Sequence, residues 1–192
     1  MKPLSAQTFD WVAKIFYNEN FLDRIQQAIN PIEGHKLLDA ACGTGILKPC
    51  CSPAWYVGID IDTKRVTEAR NQYKTVDFIS SDAGKLAFKK NSFDIILASG
   101  LFHHVNDQTA YNILSEFKRV LSADGRVIVI EAIWPQHRYN LLGVLGRKMD
   151  QGNFVRHSWE YESLFKQCFN VDKKFLFTNY CLEYLLAILV KI

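Results

Sequence analysis

The chain has 192 residues, 48% hydrophobic and 22% charged, which suits one globular domain with a full core and leaves little room for a second. Its 23 basic and 20 acidic residues are interleaved and leave a net charge of +3, with no basic run longer than Lys89-Lys90 or Lys173-Lys174, so a nucleic-acid partner is not expected. Met1 to Asp10 lacks the apolar stretch of a signal peptide, and the apolar tail Tyr184 to Val190 is too short to cross a bilayer, so no membrane partner is expected either. The five cysteines show no C-x-x-C or zinc-ligand spacing, which points to reduced thiols in a cytoplasmic protein, with adjacent Cys50-Cys51 readable as a redox-active pair or as small apolar filler; no Asp/Asp-Asn magnesium set is evident either, so no metal is expected.

Two leading helices are expected in residues 1–34. One carries Phe9, Val12, Ala13 and Phe16 at helical spacing, the other Phe21, Leu22, Ile25 and Ile29. Pro31 and Gly34 break the chain before a core of alternating strands and helices over residues 35–132. Strands are read at Lys36–Leu38, Tyr56–Ile59, Val76–Ile79, Phe93–Ala98 and Arg126–Ile130. Continuous apolar runs such as Ile95-Ile96-Leu97 and Val127-Ile128-Val129-Ile130 suggest strands buried on both faces, hence a parallel sheet. Helices fit over Thr63–Gln72, capped by Asp62 or Thr63, and over Asp107–Leu121, capped by Asp107. Residues 133–158 read as an irregular aromatic and basic segment. Residues 159–192 hold the body of a helix begun at Ser158 and two strands whose short connection permits only an antiparallel hairpin. The expected fold is α/β: a doubly wound, mostly parallel seven-stranded sheet with an antiparallel edge hairpin, binding ligands at the C-terminal ends of its strands.

The strongest functional signal is Leu37-Leu38-Asp39-Ala40-Ala41-Cys42-Gly43-Thr44-Gly45, a strand that ends in an acid and runs into a small-residue turn. Glycines there let the backbone approach a ligand without a Cβ collision. The second strand ends in Gly58-Ile59-Asp60, and a carboxylate at that place suits a ribose diol, or else caps the next helix. A dinucleotide fingerprint would need a third glycine at position 48, where Lys48 and Pro49 stand, and Asp39 beside the loop favours a cationic ligand over a pyrophosphate.

These residues resemble motif I of the class I S-adenosylmethionine-dependent methyltransferases, and the likeness spans nearly the whole chain. The resemblance implies a cofactor site of Asp39, Ala41, Gly43 and Gly45, with Asp60 and Ile61 at the ribose side, Asp82 and Ala83 at the adenine, and Ser99 after the fourth strand. Leu101-Phe102-His103-His104-Val105 and Phe117 to Arg126 are similar to the family's later turns and helix. Two departures stand out. Ala41 replaces a common glycine, a small change provided its φ is negative. Pro49 lies inside the expected helix, which should therefore be short or distorted.

The implied function is transfer of a methyl group from S-adenosylmethionine to a small-molecule acceptor by in-line displacement. The alternative is a cofactor-binding or regulatory domain without turnover. A base is needed only if the nucleophile carries a proton to lose. Glu131, His103 and His104 are the candidates near the pocket, with His137 or His157 of the variable segment beside them, His103-His104 being also readable as a structural turn and Glu131 as a satisfied carboxylate. The acceptor is expected to meet Tyr17 of the leading segment and Trp134, His137, Arg138 and Arg156 of the variable one, an arginine there suiting an acidic or phosphorylated group.

Overall fold

Helices cover both faces of the sheet, and that is why its central strands carry almost no polar residues. The computed structural model describes residues 17–52, 54–137, 139–149 and 152–192. Seven strands, β1 (Lys36–Ala40), β2 (Trp55–Asp60), β3 (Asp77–Ser80), β4 (Phe93–Ser99), β5 (Leu121–Ala132), β6 (Phe169–Asn179) and β7 (Leu182–Lys191), form one sheet in the order β3-β2-β1-β4-β5-β7-β6. β1 to β5 pair in parallel, while β7 runs antiparallel to β5 and closes a hairpin with β6 through Tyr180-Cys181. The helices are α1 (Glu19–Ile29), α2 (Thr63–Gln72), α3 (Asp107–Val120), α4 (Leu141–Met149) and α5 (Ser158–Phe165). The first leading helix expected from Phe9 to Phe16 lies outside the described residues.

Alternation along the strands sorts the core into two layers. Leu38, Ala40, Ile96, Ala98, Val127 and Val129 pack with Ala110, Ile113, Leu114 and Phe117 of α3 and with Tyr161, Leu164 and Phe165 of α5. Leu37, Ile95, Leu97, Ile128 and Ile130 pack with Phe21, Ile25 and Ile29 of α1 and Val66 and Ala69 of α2. Strand order reverses between β1 and β4, so the turns leaving those two strands diverge and open a crevice at their C-terminal ends.

Three local readings change. The cap of α3 is Asn106, whose side chain accepts from the Thr109 N–H. Either residue could have capped, and Asp107 instead turns to Arg156. The segment after β5 is not wholly irregular, since it contains α4. No α-helix follows the glycine turn: a 3-10 turn at Lys48–Cys51 with proline at its start replaces it, the distortion expected of Pro49. The β1–β2 connection is then only residues 41–54, or 14 residues, close to the roughly 10–12 that a parallel crossover needs.

Candidate active site

The turn after β1 is built around two aspartates. Asp39 is buried, and its Oδ2 accepts the Tyr56 hydroxyl at 2.7 Å while its Oδ1 has no hydrogen-bond partner among the described residues. Burial raises its pKa from 3.8 to about 7, opposed by the Tyr56 bond and helped by the nearby Asp60 charge. Tyr56 stands in no recognisable motif, although period-two spacing puts it on one face with Gly58 and Asp60, and Gly58 is in register with Asp39. Asp60 Oδ2 accepts the Gly43 N–H at 2.9 Å and Oδ1 accepts the Asp62 N–H at 2.8 Å, so the β2 carboxylate holds the glycine turn. Asp62 is the cap of α2.

The glycines of this turn serve different ends. Gly43 has φ 55° and nothing within 4 Å of where a Cβ would sit, which leaves an approach to the backbone. Gly45 has φ 81°, and the Phe78 ring would lie 2.9 Å from its Cβ, so it is required by packing as well as conformation. Ala41 has φ 75°, and this corrects the reading of its substitution as a small one. A left-handed alanine carries strain that the glycine common at this place would not.

The remaining expected cofactor residues rim the same end of the sheet. Ile61 is exposed beside Asp60, and Ala83 is buried against the core. Asp82 is exposed, its Oδ1 accepting the Gly84 N–H at 2.8 Å. An orphaned buried carboxylate oxygen and an open glycine backbone fit a cationic nucleoside ligand such as S-adenosylmethionine. Among the described residues no cluster of three metal-ligating side chains occurs.

Across the crevice the turn after β4 is held from β5. Ser99 ends β4, and burial pushes up the pKa of the Tyr17 hydroxyl. Tyr17 stacks on Phe21 with centroids 4.8 Å apart, which carries it from the head of α1 to the strand ends. Glu131 is fully buried. Its Oε1 accepts the Leu101 and Phe102 N–H groups at 2.7 and 2.6 Å, and its Oε2 meets the His103 N–H at 3.3 Å and His103 Nδ1 at 2.7 Å. These four partners occupy the carboxylate, so its geometry is that of a group positioning the turn, and it offers no open site for a base. His103 is buried under Gly152, where even a Cβ would meet its ring at 2.2 Å. His104 is exposed, with its ring centroid 4.0 Å from that of His103.

The expected acceptor residues divide. Trp134 donates its indole N–H to the Val155 carbonyl at 2.9 Å, His137 is exposed, and Arg138 lies outside the described residues. Arg156 does not face the crevice as an anion holder, which corrects the sequence reading. Its guanidinium makes five hydrogen bonds within the protein, to the carbonyls of Phe102, Val105 and Phe154 and twice to Asp107 Oδ1. It ties the variable segment onto the turn that Glu131 holds.

The sheet order, the glycine turn and the acids at the ends of β1 and β2 define the class I S-adenosylmethionine-dependent methyltransferase family, and the chain belongs to it. Residues 38–129 match the methyltransferase domain family. A demethylmenaquinone methyltransferase of Thermotoga maritima is 32% identical over 137 residues, covering 68% of this chain and 59% of that protein. A ubiquinone biosynthesis O-methyltransferase of Actinobacillus pleuropneumoniae serotype 7 is 28% identical over 156 residues, covering 76% of this chain and 65% of that protein. The chain thus spans less than two thirds of the length of these curated relatives. A TehB-like SAM-dependent methyltransferase of Corynebacterium glutamicum has the same fold, with a TM-score of 0.72 at 18% identity over 97% of this chain and 96% of that one.

Proposed function

We propose that the chain transfers a methyl group from S-adenosylmethionine to a small-molecule acceptor, by in-line displacement. The observation that carries this reading is Asp39 Oδ1, buried and without a partner among the described residues, on the strand that runs into the open turn at Gly43. When bound, S-adenosylmethionine would supply a methyl group already activated by its sulfonium. Asp39 would hold the cationic amino-acid end, and a positive charge there favours its ionised form. Asp60 has acceptor capacity left beyond its two backbone bonds and would take the ribose hydroxyls, with Ile61 and the Asp82-Ala83 backbone along the adenine. Tyr17, Ser99 and Trp134 would line the acceptor side, where positioning and exclusion of water do most of the work. Glu131 would act through the turn it fixes, with His103 and His104 at the pocket wall. The relatives' names make a quinone precursor the first acceptor to try. Five free cysteines fit a reducing, cytoplasmic setting.

Titration calorimetry with S-adenosylmethionine, S-adenosylhomocysteine and NAD tests the reading. The first two should bind at micromolar affinity, and binding of NAD alone would end it. Asp60→Ala should weaken cofactor binding by about 1.5–3 kcal/mol, the range for a hydrogen bond to a charged group, while Asp62→Ala leaves it unchanged.

The left-handed Ala41 and the shortened β1–β2 crossover favour a second reading, cofactor binding without turnover. Release of S-adenosylhomocysteine from a pool of metabolites separates the two.

A further inference from the structure

The two carboxylates beside the glycine turn are unequally provided for. Asp60 accepts two backbone N–H groups, one on each oxygen. Asp39 is 1% exposed and receives one neutral donor, the Tyr56 hydroxyl on Oδ2, while Oδ1 has no partner among the described residues. A buried carboxylate needs a cation or several donors to hold its charge, and with neither it keeps a proton instead.

Each element around Asp39 works in that direction. On β2, Asp60 is the one charge among the described residues that acts on it, and it opposes ionisation. On the turn after β1 and the 3-10 turn beyond it, burial pushes the thiols of Cys42, Cys50 and Cys51 up, and a charge on Asp39 pushes them further, so all three stay neutral. Burial does the same to the hydroxyls of Tyr56 and, at the head of α1, Tyr17. Lys48 lies over the Tyr56 ring, its Nζ 5.7 Å from the centroid, rather than against the carboxylate. On β4 the residue in register is Leu97. Burial accordingly raises the Asp39 pKa to about 7.

We propose that the ammonium group of the cofactor drives a proton off Asp39 as it binds, so that cofactor affinity follows pH across the weakly acid range. The inference rests on the methyl-transfer reading and names the regulation of its cofactor site. The chain by itself keeps the Asp39 O–H bond. With the amino-acid end of the cofactor beside it, that bond breaks, the proton passes to solvent, and the carboxylate pairs with the ammonium. The ligand thus selects the ionised form. Its affinity falls by roughly tenfold per unit as pH drops well below 7, and is level above that value. The ribose and adenine parts carry no cation, so a ligand made of those parts alone leaves the proton in place.

Titration calorimetry at pH 6, run in phosphate and again in imidazole, counts the protons released, because each buffer adds its own heat of ionisation. S-adenosylhomocysteine should release about one proton per chain, and 5′-methylthioadenosine, which lacks the amino-acid end, should release none. Between pH 7 and pH 5 the Kd of S-adenosylhomocysteine should weaken roughly fiftyfold, and that of 5′-methylthioadenosine less than about threefold. Asp39→Asn should bind S-adenosylhomocysteine without proton release and with a Kd level in pH. Where the variant or the truncated ligand binds too weakly to measure, the wild-type proton count and pH series with S-adenosylhomocysteine decide. Binding of S-adenosylhomocysteine without proton release overturns the proposal and leaves the methyltransferase reading in place. Equal release with both ligands, or release that persists in Asp39→Asn, overturns it by placing the proton on another group. No binding of S-adenosylhomocysteine at any pH ends both.

Discussion

The two turns that flank the crevice follow one plan, and they differ in how far it is filled. Each leaves a central parallel strand, and each is held by a carboxylate from the neighbouring strand. After β1, Asp60 takes two backbone N–H groups and keeps 9% of its surface exposed. After β4, Glu131 takes three backbone N–H groups and a histidine nitrogen and is wholly buried. A carboxylate has about four acceptor sites, so Asp60 can still receive a ligand and Glu131 cannot. An acid at the end of a strand is a ligand group only where it has capacity to spare.

The largest expected effect is at the filled turn. Glu131→Ala would leave four donors in a buried place without their acceptor and should lower stability by about 3–5 kcal/mol, as loss of one partner from a buried charged network does. Urea midpoints of Glu131→Ala and Asp60→Ala, measured together, break the comparison if the second variant loses as much as the first.

The β1 side should instead reveal itself through pH. Asp39 has a pKa of about 7 in the folded chain against an ordinary 3.8. The folded chain therefore keeps a proton that the unfolded chain gives up between those values, and stability falls as pH rises through that interval. The loss is complete above pH 7 and amounts to at most about 4 kcal/mol. Asp39→Asn should remove this dependence, so the variant gains on the wild type between pH 5 and pH 8. A constant difference between them across that range would place Asp39 in a wetter environment than its burial implies.

The smallest effect sharpens the same turn. Ala41→Gly should raise stability by about 1 kcal/mol, because glycine takes the left-handed conformation without strain. A loss of stability on thermal melting would show that the alanine methyl is held by contacts that outweigh its φ of 75°.

Much of this was legible in the residues themselves. Apolar runs gave the strands, because a parallel strand covered on both faces cannot carry alternating polarity. The acid-first glycine turn with Asp60 marked the β1 side, because a backbone that must approach a ligand can use few other residues. Pro49 announced the broken helix through its missing N–H. Arg156 was misleading, because an arginine among aromatics looks like an anion holder until Asp107, 49 residues earlier, is folded against it.

What the sequence determined by itself is everything set by local chemistry and period: which segments are strands, where the chain turns, and which acids stand at strand ends. What only the tertiary structure decided is how each polar group is spent. Periodicity gives α4 two unlike sides without saying which one packs, and it gives Asp60 and Glu131 the same station without saying which is saturated. Those outcomes depend on donors brought from distant parts of the chain, and a carboxylate's remaining capacity is fixed only when all of them have arrived.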